Sequence, residues 1–184
     1  MKSKIILSFD LEFWYNSKFL KKYLASDNFK DYVYESTIPL LELLKKYNIK
    51  ATFFVLGKLA KNYPDLVEKI HQDDHEIASH GYSHKTLDEL NKSEFEEEIA
   101  ISIEILKKIT GYPPKGFRAP NFSLNNKTKW ALEILEKYNF KYDSSIFPFK
   151  TPLYGSFKAP LKIYKISKED VYKEDENAKI LEFP

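Results

Sequence analysis

The chain contains no cysteine, which excludes disulfides and thiolate metal sites. Any metal ion must therefore be bound by histidine and carboxylate side chains. Arginine is nearly absent as well, because only one of the 29 basic residues, Arg118, is not a lysine. A guanidinium group can hold a carboxylate with two hydrogen bonds, which an ammonium group cannot do, so we expect this single arginine to have a geometric role.

Long apolar segments are also missing. No stretch approaches the roughly 20 apolar residues of a membrane helix, so the sequence predicts no membrane span. The apolar run from Ile5 to Phe9 is short and is followed by the charged residues Asp10 and Glu12. That pattern favours a first β-strand over a signal peptide, and we expect a cytoplasmic protein.

Neither positive nor negative charge is in large excess. The net charge is +2, and no cluster of lysines with interleaved aromatic residues suggests a nucleic-acid groove, so nucleic-acid binding is not expected. Hydrophobic residues make up 43% and charged residues 30%, values typical of a globular protein. With no repeat and no low-complexity tract, we expect residues 1–184 to form one domain.

Short apolar runs alternate with segments of helical periodicity. Strands are predicted at 5–9, 51–56, 76–79, 116–118, 142–143, 163–166 and 180–183. Helices are predicted at 37–47, 64–70, 93–110 and 128–138, the third with a capping box of Ser93 and Glu96 and a stop at Gly111. The alternation predicts an α/β fold with parallel strands. Polar residues follow several strands, as they do at the functional end of a β/α barrel.

All four histidines lie between residues 71 and 84. His80 and His84 have the i, i+4 spacing that places two imidazoles on one face of a helical turn, where they could share a metal ion. Such a pair alone is weak evidence, because it often occurs by chance. His75 and His80 are one residue too far apart for a zinc-protease helix, and His71 and His75 are expected to be surface or capping residues.

Two carboxylates follow the first strand. Asp10 and Glu12 are two residues apart, so in an extended chain their side chains point to the same side. One carboxylate could join two histidines as a metal ligand while the other remains free as a general base. The alternative is a helix cap or a solvated strand end, which is plausible for one acid and less so for two.

Five motifs in order resemble the polysaccharide deacetylase family, carbohydrate esterase family 4, and its branch associated with exopolysaccharide gene clusters. The motifs are Ser8–Glu12, Ala51–Gly57, His75–His84, Gly116–Pro120 and Tyr142–Pro148. The resemblance covers residues 4–184 and implies a distorted β/α barrel. It implies that a divalent ion, expected to be Zn²⁺, is bound by Glu12, His80 and His84, and that Asp10 is the catalytic base.

The resemblance implies three further roles. Arg118 matches the arginine that orients the base, and Asn121 lies where a backbone N–H helps to bind the oxyanion. Asp143 matches an aspartate that tunes a histidine acid late in the chain. Most members have adjacent aspartates where this chain has Asp10 and Glu12, so either carboxylate could be the metal ligand.

The chain ends at Pro184, before the Leu-His motif that holds the family's general acid, and no histidine follows His84. We therefore expect a barrel that is incomplete at its C-terminal end, binds metal, deacetylates poorly and tends to self-associate.

The predicted function is metal-dependent removal of N-acetyl groups from the sugars of a polysaccharide or oligosaccharide. Aromatic residues at Trp14, Tyr15, Phe122 and Phe147 could stack on sugar rings, although core packing explains them equally well. Two alternatives stay open. One is a cyclic-amide hydrolase of the same fold, and the other is a truncated, non-catalytic carbohydrate-binding domain.

Overall fold

The structure is a computed structural model that describes residues 5–17, 20 and 30–184. The strands are β1 (Ser8–Leu11), β2 (Thr52–Val55), β3 (Glu76–Ser79), β4 (Gly116–Phe117), β5 (Tyr142–Asp143), β6 (Tyr164–Lys165) and β7 (Leu181–Glu182). The helices are α1 (Val33–Lys46), α2 (Gly57–Asn62), α3 (Pro64–Gln72), α4 (Lys92–Thr110) and α5 (Ala131–Lys137). Residues 1–4, which precede the apolar run considered for a signal peptide, lie outside the described part.

The seven strands form one sheet in the order β1-β2-β3-β4-β5-β7-β6. All neighbouring pairs are parallel except β6 and β7, which are antiparallel. From β1 to β5, the connection between each pair of successive strands contains at least one helix, as the βαβ pattern requires. The predicted α/β class with parallel strands is therefore confirmed.

The sheet does not close on itself within the described residues, because β1 and β6 form its two ends. The segment 180–183 was expected to supply a late strand, and Leu181–Glu182 pairs with both β5 and β6. The architecture is thus that of an open β/α barrel, and its strands run parallel except at the β6 end.

The two faces of the sheet have different surroundings. Phe53, Val55 and Phe117 point to the face covered by helices and are buried. Alternate residues such as Phe54 and Tyr142 point to the other face, which lines a cavity of about 430 Å³. This alternation follows from the period of two along a strand, and it decides which polar side chains can meet in the site.

The observed helix boundaries differ from the predicted ones where a capping residue sets the end of the helix. The N-cap of α4 is Asn91, whose side chain accepts a hydrogen bond from the backbone N–H of Glu94 in a reciprocal capping box, so the predicted box at Ser93 is wrong by two residues. Gly111 ends the helix as predicted, with φ of 83° in the left-handed region. No helix in the described residues is long and apolar enough to cross a membrane.

Candidate metal centre and active site

Three side chains meet where β1 and β3 end. Glu12 follows β1, His80 follows β3, and His84 lies four residues further on. The Nε2 atom of His84 contacts the Glu12 carboxylate, and Nε2 of His80 lies 3.5 Å from the same oxygen, Oε2. One potential ligand atom from each of the three residues lies within 4.8 Å of the other two. The sequence prediction that these three residues converge agrees with this geometry.

The two histidines do not lie on a helical turn, so that part of the prediction is wrong. The segment between them is a loop, in which Gly81 has φ of 76° and His84 has φ of 68°. Both residues are therefore in the left-handed region, which costs a residue other than glycine roughly 1–3 kcal/mol unless its surroundings compensate. The rings meet because the loop turns back, with centroids 5.5 Å apart.

The tautomer of His80 is set by the main chain. Its Nδ1 atom is 2.8 Å from the carbonyl oxygen of Arg118, a distance at which Nδ1–H donates and Nε2 keeps its lone pair. Burial by itself would raise the pKa of Glu12, but hydrogen bonds with His80 and His84 lower it to about 2. The carboxylate is therefore ionised at neutral pH.

These residues fit a divalent metal ion. Two imidazoles and one carboxylate form a set that leaves open positions, which is typical of catalytic zinc sites. Both histidines are buried, and so is the Glu12 oxygen that faces them. Within the described part of the chain, no donor other than the two rings reaches this oxygen. An anionic oxygen enclosed in this way matches a site for a cation better than a surface ion pair.

Asp10 and Arg118 form the contact that the resemblance implied. Nη1 of Arg118 donates to Oδ1 of Asp10 at 2.8 Å. The expected pair of hydrogen bonds to the carboxylate is absent, because three of the other four N–H donors of the guanidinium bond to different groups. Nη2 donates to the hydroxyls of Ser8 and Ser144 at 3.1 and 2.8 Å, and Nε donates to the carbonyl oxygen of Ser144 at 2.9 Å.

Three residues that hold Arg118 were missed by sequence reasoning. Ser8 and Ser144 accept its hydrogen bonds, and the ring of Phe54 lies under the guanidinium carbon at 4.0 Å. A signal for Ser8 was available, because Ser8 and Asp10 are two residues apart on one strand and so share a face. Ser144 follows Asp143, and its side chain points to the opposite face of the sheet. The sequence motif had indicated Asp143, and not Ser144, as the residue of the site.

Asn121 lies in a short turn at Pro120–Phe122 and has φ of 54°. Its side-chain Nδ2 is buried with no hydrogen-bond partner among the described residues. The same turn brings Phe122 to 5.4 Å from the guanidinium carbon of Arg118, measured to the ring centroid. The turn therefore lies beside the candidate base, while the oxyanion role of Asn121 stays a prediction.

The structure does not bring Asp143 together with the metal-binding set. Its carboxyl group is fully buried on the helix-covered face and accepts hydrogen bonds from the hydroxyl and backbone N–H of Ser145 at 2.6 and 3.0 Å. It faces the buried carboxyl group of Glu182, the residue paired with it on the adjacent strand β7. Burial raises the pKa of both groups, and the neighbouring Asp143 carboxyl raises that of Glu182 further.

The remaining histidines differ from each other. His71 is partly exposed at the end of α3, in agreement with a surface position. His75 is buried, so its assignment to the surface is wrong. Its Nδ1 atom accepts a hydrogen bond from the backbone N–H of Ala51 at 3.2 Å, just before β2. This contact satisfies a main-chain donor at the far end of the sheet.

Two clefts lie next to the candidate site. One, of about 240 Å³, is lined by Asn16, Ser83, His84, Lys85 and Glu89. A second, of about 640 Å³, contains Phe122, Phe147 and Tyr154, whose rings pack on one another with centroids 5.1–5.6 Å apart. These rings pack together and also line a cleft, so both interpretations of the aromatic residues agree with the structure.

Comparisons with known proteins identify the family of the chain. A family model described as polysaccharide deacetylase matches residues 20–142, a range that includes His80, His84 and Arg118. Peptidoglycan-N-acetylglucosamine deacetylase of Bacillus cereus is 42% identical over 100 residues, which are 54% of this chain and 36% of that protein. Chitin deacetylase 1 of Saccharomyces cerevisiae is 38% identical over 121 residues, which are 66% of this chain and 40% of that protein.

A similar solved structure, from Mycobacterium smegmatis, is provisionally described as a polysaccharide deacetylase. The two structures superimpose with a TM-score of 0.69 at 22% identity, over 97% of this chain and 57% of the other. This similarity concerns the fold alone. The chain spans about two fifths or less of the two curated relatives. Because the family model matches more than half of the chain, the chain belongs to the polysaccharide deacetylase family, carbohydrate esterase family 4.

Proposed function

We propose that this protein is a metal-dependent hydrolase that removes acetyl groups from N-acetylated sugars. The observation that carries the proposal is the placement of Asp10, fixed by Arg118, next to the convergent set of Glu12, His80 and His84. The relatives named peptidoglycan-N-acetylglucosamine deacetylase and chitin deacetylase support an N-acetylated sugar as substrate.

In this proposal each residue has a defined task. Glu12, His80 and His84 hold a divalent ion, expected to be Zn²⁺, which supplies Lewis acidity for a water molecule and for the acetyl carbonyl oxygen. Asp10 accepts the proton of the attacking water. Arg118 already engages Oδ1 of Asp10, so Oδ2 is the oxygen proposed to take that proton.

Other residues prepare the site for the substrate. The turn at Pro120–Phe122 borders the site from the Arg118 side and is proposed to offer the backbone N–H of Asn121 to the oxyanion. The products are acetate and a free amine, whose nitrogen takes up a proton as the C–N bond breaks. Phe122 and Phe147 are proposed to contact the sugar rings where they line the larger cleft.

The test is acetate release from N-acetylglucosamine oligomers by the purified chain with Zn²⁺, with a chelator, and with the Asp10→Asn variant. The proposal predicts release that the chelator abolishes and that the variant lowers by at least tenfold. Acetate release that persists in chelator would refute the metal dependence, and hydrolysis of a cyclic amide such as dihydrouracil in place of acetate release would favour the cyclic-amide alternative. Metal binding and oligosaccharide binding without any turnover would favour the non-catalytic alternative.

Three finer statements stay predictions of the sequence. They are the exopolysaccharide as the particular substrate, the cytoplasmic location and self-association of the chain. Exposed apolar side chains support the last of these, since Ile5, Phe157 and Leu161 are 92%, 75% and 75% exposed. Light scattering over a range of protein concentrations would show a rising mass if the chain self-associates and a constant monomer mass if it does not.

A further inference from the structure

The loop that carries both histidine ligands has an unusual backbone and no regular secondary structure. Residues 81–83 belong to neither a helix nor a strand, and left-handed residues stand at Gly81 and His84. Such a loop opens on its own unless its backbone groups are bonded to something rigid. The imidazoles can meet Glu12 only if the loop keeps this conformation.

One side chain outside the ligand set bonds to this loop twice. Oε2 of Glu98 accepts hydrogen bonds from the backbone N–H groups of Tyr82 and Ser83, at 2.9 and 2.8 Å. Hydrogen bonds to a carboxylate are about twice as strong as those between neutral groups. Glu98 therefore fixes two of the four peptide units that lie between the metal-ligating histidines.

The helix that carries Glu98 also supports the residue before His80. Ser102, one turn after Glu98 on α4, is fully buried, and its hydroxyl lies 2.9 Å from the hydroxyl of Ser79. The Ser79 hydroxyl in turn accepts a hydrogen bond from the N–H of Gly81 at 3.2 Å. The helix thus contacts the loop on both sides of His80, and α4 is packed against β3.

The carbonyl groups of the loop are bonded on the opposite side. The oxygens of Gly81 and Tyr82 accept from the backbone N–H groups of Gly57 and Lys58 at 2.8 and 3.0 Å, at the start of α2. These two bonds come from the main chain and no side-chain substitution removes them directly. Glu98 is consequently the position at which a substitution tests whether loop geometry determines metal affinity.

We infer that Glu98 is a positioning residue that holds the 81–83 loop so that His80 and His84 present their Nε2 atoms toward Glu12. Glu98 itself does not join the ligand set. The inference rests on the metal site of the proposed function and adds a residue to it. Loss of an outer partner of this kind lowers metal affinity about 10- to 100-fold in characterised sites.

The experiment is a Zn²⁺ titration in competition with a chromophoric chelator. Glu98→Ala should weaken Zn²⁺ binding about 10- to 100-fold, because both N–H groups lose their acceptor. Glu98→Gln keeps one acceptor oxygen without the charge and should fall between Ala and the wild type. Glu97→Ala is the matched control, since Glu97 is an exposed glutamate on the same helix, and it should bind like the wild type.

Thermal unfolding of the metal-free proteins separates positioning from plain stabilisation. If wild-type protein binds Zn²⁺ while Glu98→Ala binds it equally well, the inference is wrong and the metal site stands, even if the variant melts earlier. If wild-type protein itself does not bind Zn²⁺, both the proposed function and this inference are wrong. If Glu98→Ala does not fold, Glu98→Gln decides alone, and wild-type affinity in that variant overturns the inference.

Discussion

Replacing Arg118 by lysine keeps the positive charge and removes the shape of the group. The guanidinium reaches Asp10, Ser8 and Ser144 at once through three different nitrogens, and its carbon lies 4.0 Å from the centroid of the Phe54 ring. An ammonium group has one nitrogen and cannot occupy these positions together. We therefore expect Asp10 to lose its fixed orientation in Arg118→Lys.

The expected decrease in kcat follows from loss of the hydrogen bond between Arg118 and Asp10. A hydrogen bond to a charged group contributes about 1.5–3 kcal/mol, and each 1.4 kcal/mol corresponds to about a factor of ten in rate. If that contribution is made mainly in the transition state, kcat should fall about 10- to 150-fold. Zn²⁺ affinity should stay within about twofold of wild type, because His80 is bonded to the main-chain carbonyl of Arg118, which the substitution keeps.

Steady-state acetate release and a Zn²⁺ competition titration measure the two quantities on the same preparations. A double-mutant cycle with Asp10→Asn then shows whether Arg118 acts through Asp10. In the Asp10→Asn background, Arg118→Lys should have little further effect on kcat, since the group that it orients is gone. Equal kcat for wild type and Arg118→Lys, or full additivity in the cycle, would refute the reasoning.

Three further substitutions test the site and the sheet. His80→Ala should abolish Zn²⁺ binding in a competition titration while His71→Ala leaves it unchanged, and equal affinities would contradict the metal site. Gly116→Ala would place a Cβ 2.0 Å from the ring of Tyr142, so urea unfolding should show a loss of about 1–3 kcal/mol, and an unchanged midpoint would count against this packing. The pKa of Glu182 is raised well above 4.5 in the folded chain, so wild type loses stability as pH rises through that folded value. Glu182→Gln should therefore melt above wild type at pH 8, by a margin that shrinks toward pH 4, and parallel pH profiles would argue against the raised pKa of Glu182.

The sequence predicted the order of the strands because each one lies in or beside a short apolar run, although the first strand, expected at 5–9, is found at Ser8–Leu11. The predicted strand 76–79 coincides with the observed Glu76–Ser79, and the late strands at 163–166 and 180–183 are present in shorter form. Helix ends were less predictable. The capping box expected at Ser93 and Glu96 is found two residues earlier, at Asn91 and Glu94, although the residue types that form such boxes occur at both places.

The site was predictable by residue type and less so by geometry. His80, His84 and Glu12 were correctly grouped, but the helical spacing that suggested the pair is coincidental, because a turned loop brings the rings together. Asp143 was assigned to the site by its motif alone. Its side chain points to the other face of the sheet, a consequence of alternation along β5 that becomes visible once the register of the strands is known.

The position of β1 at an end of the sheet has a consequence for local unfolding. Among the described residues β1 pairs with β2 alone, so the strand that leads into Glu12 has hydrogen-bonded support on one side. His80 follows β3, which is paired on both sides. An ion bound by both Glu12 and His80 would link the edge strand β1, which can unfold locally, to the interior strand β3. Addition of Zn²⁺ should then slow amide hydrogen exchange far more in β1 than in β3. Binding of the ion would in this way stabilise the edge of the sheet against local unfolding.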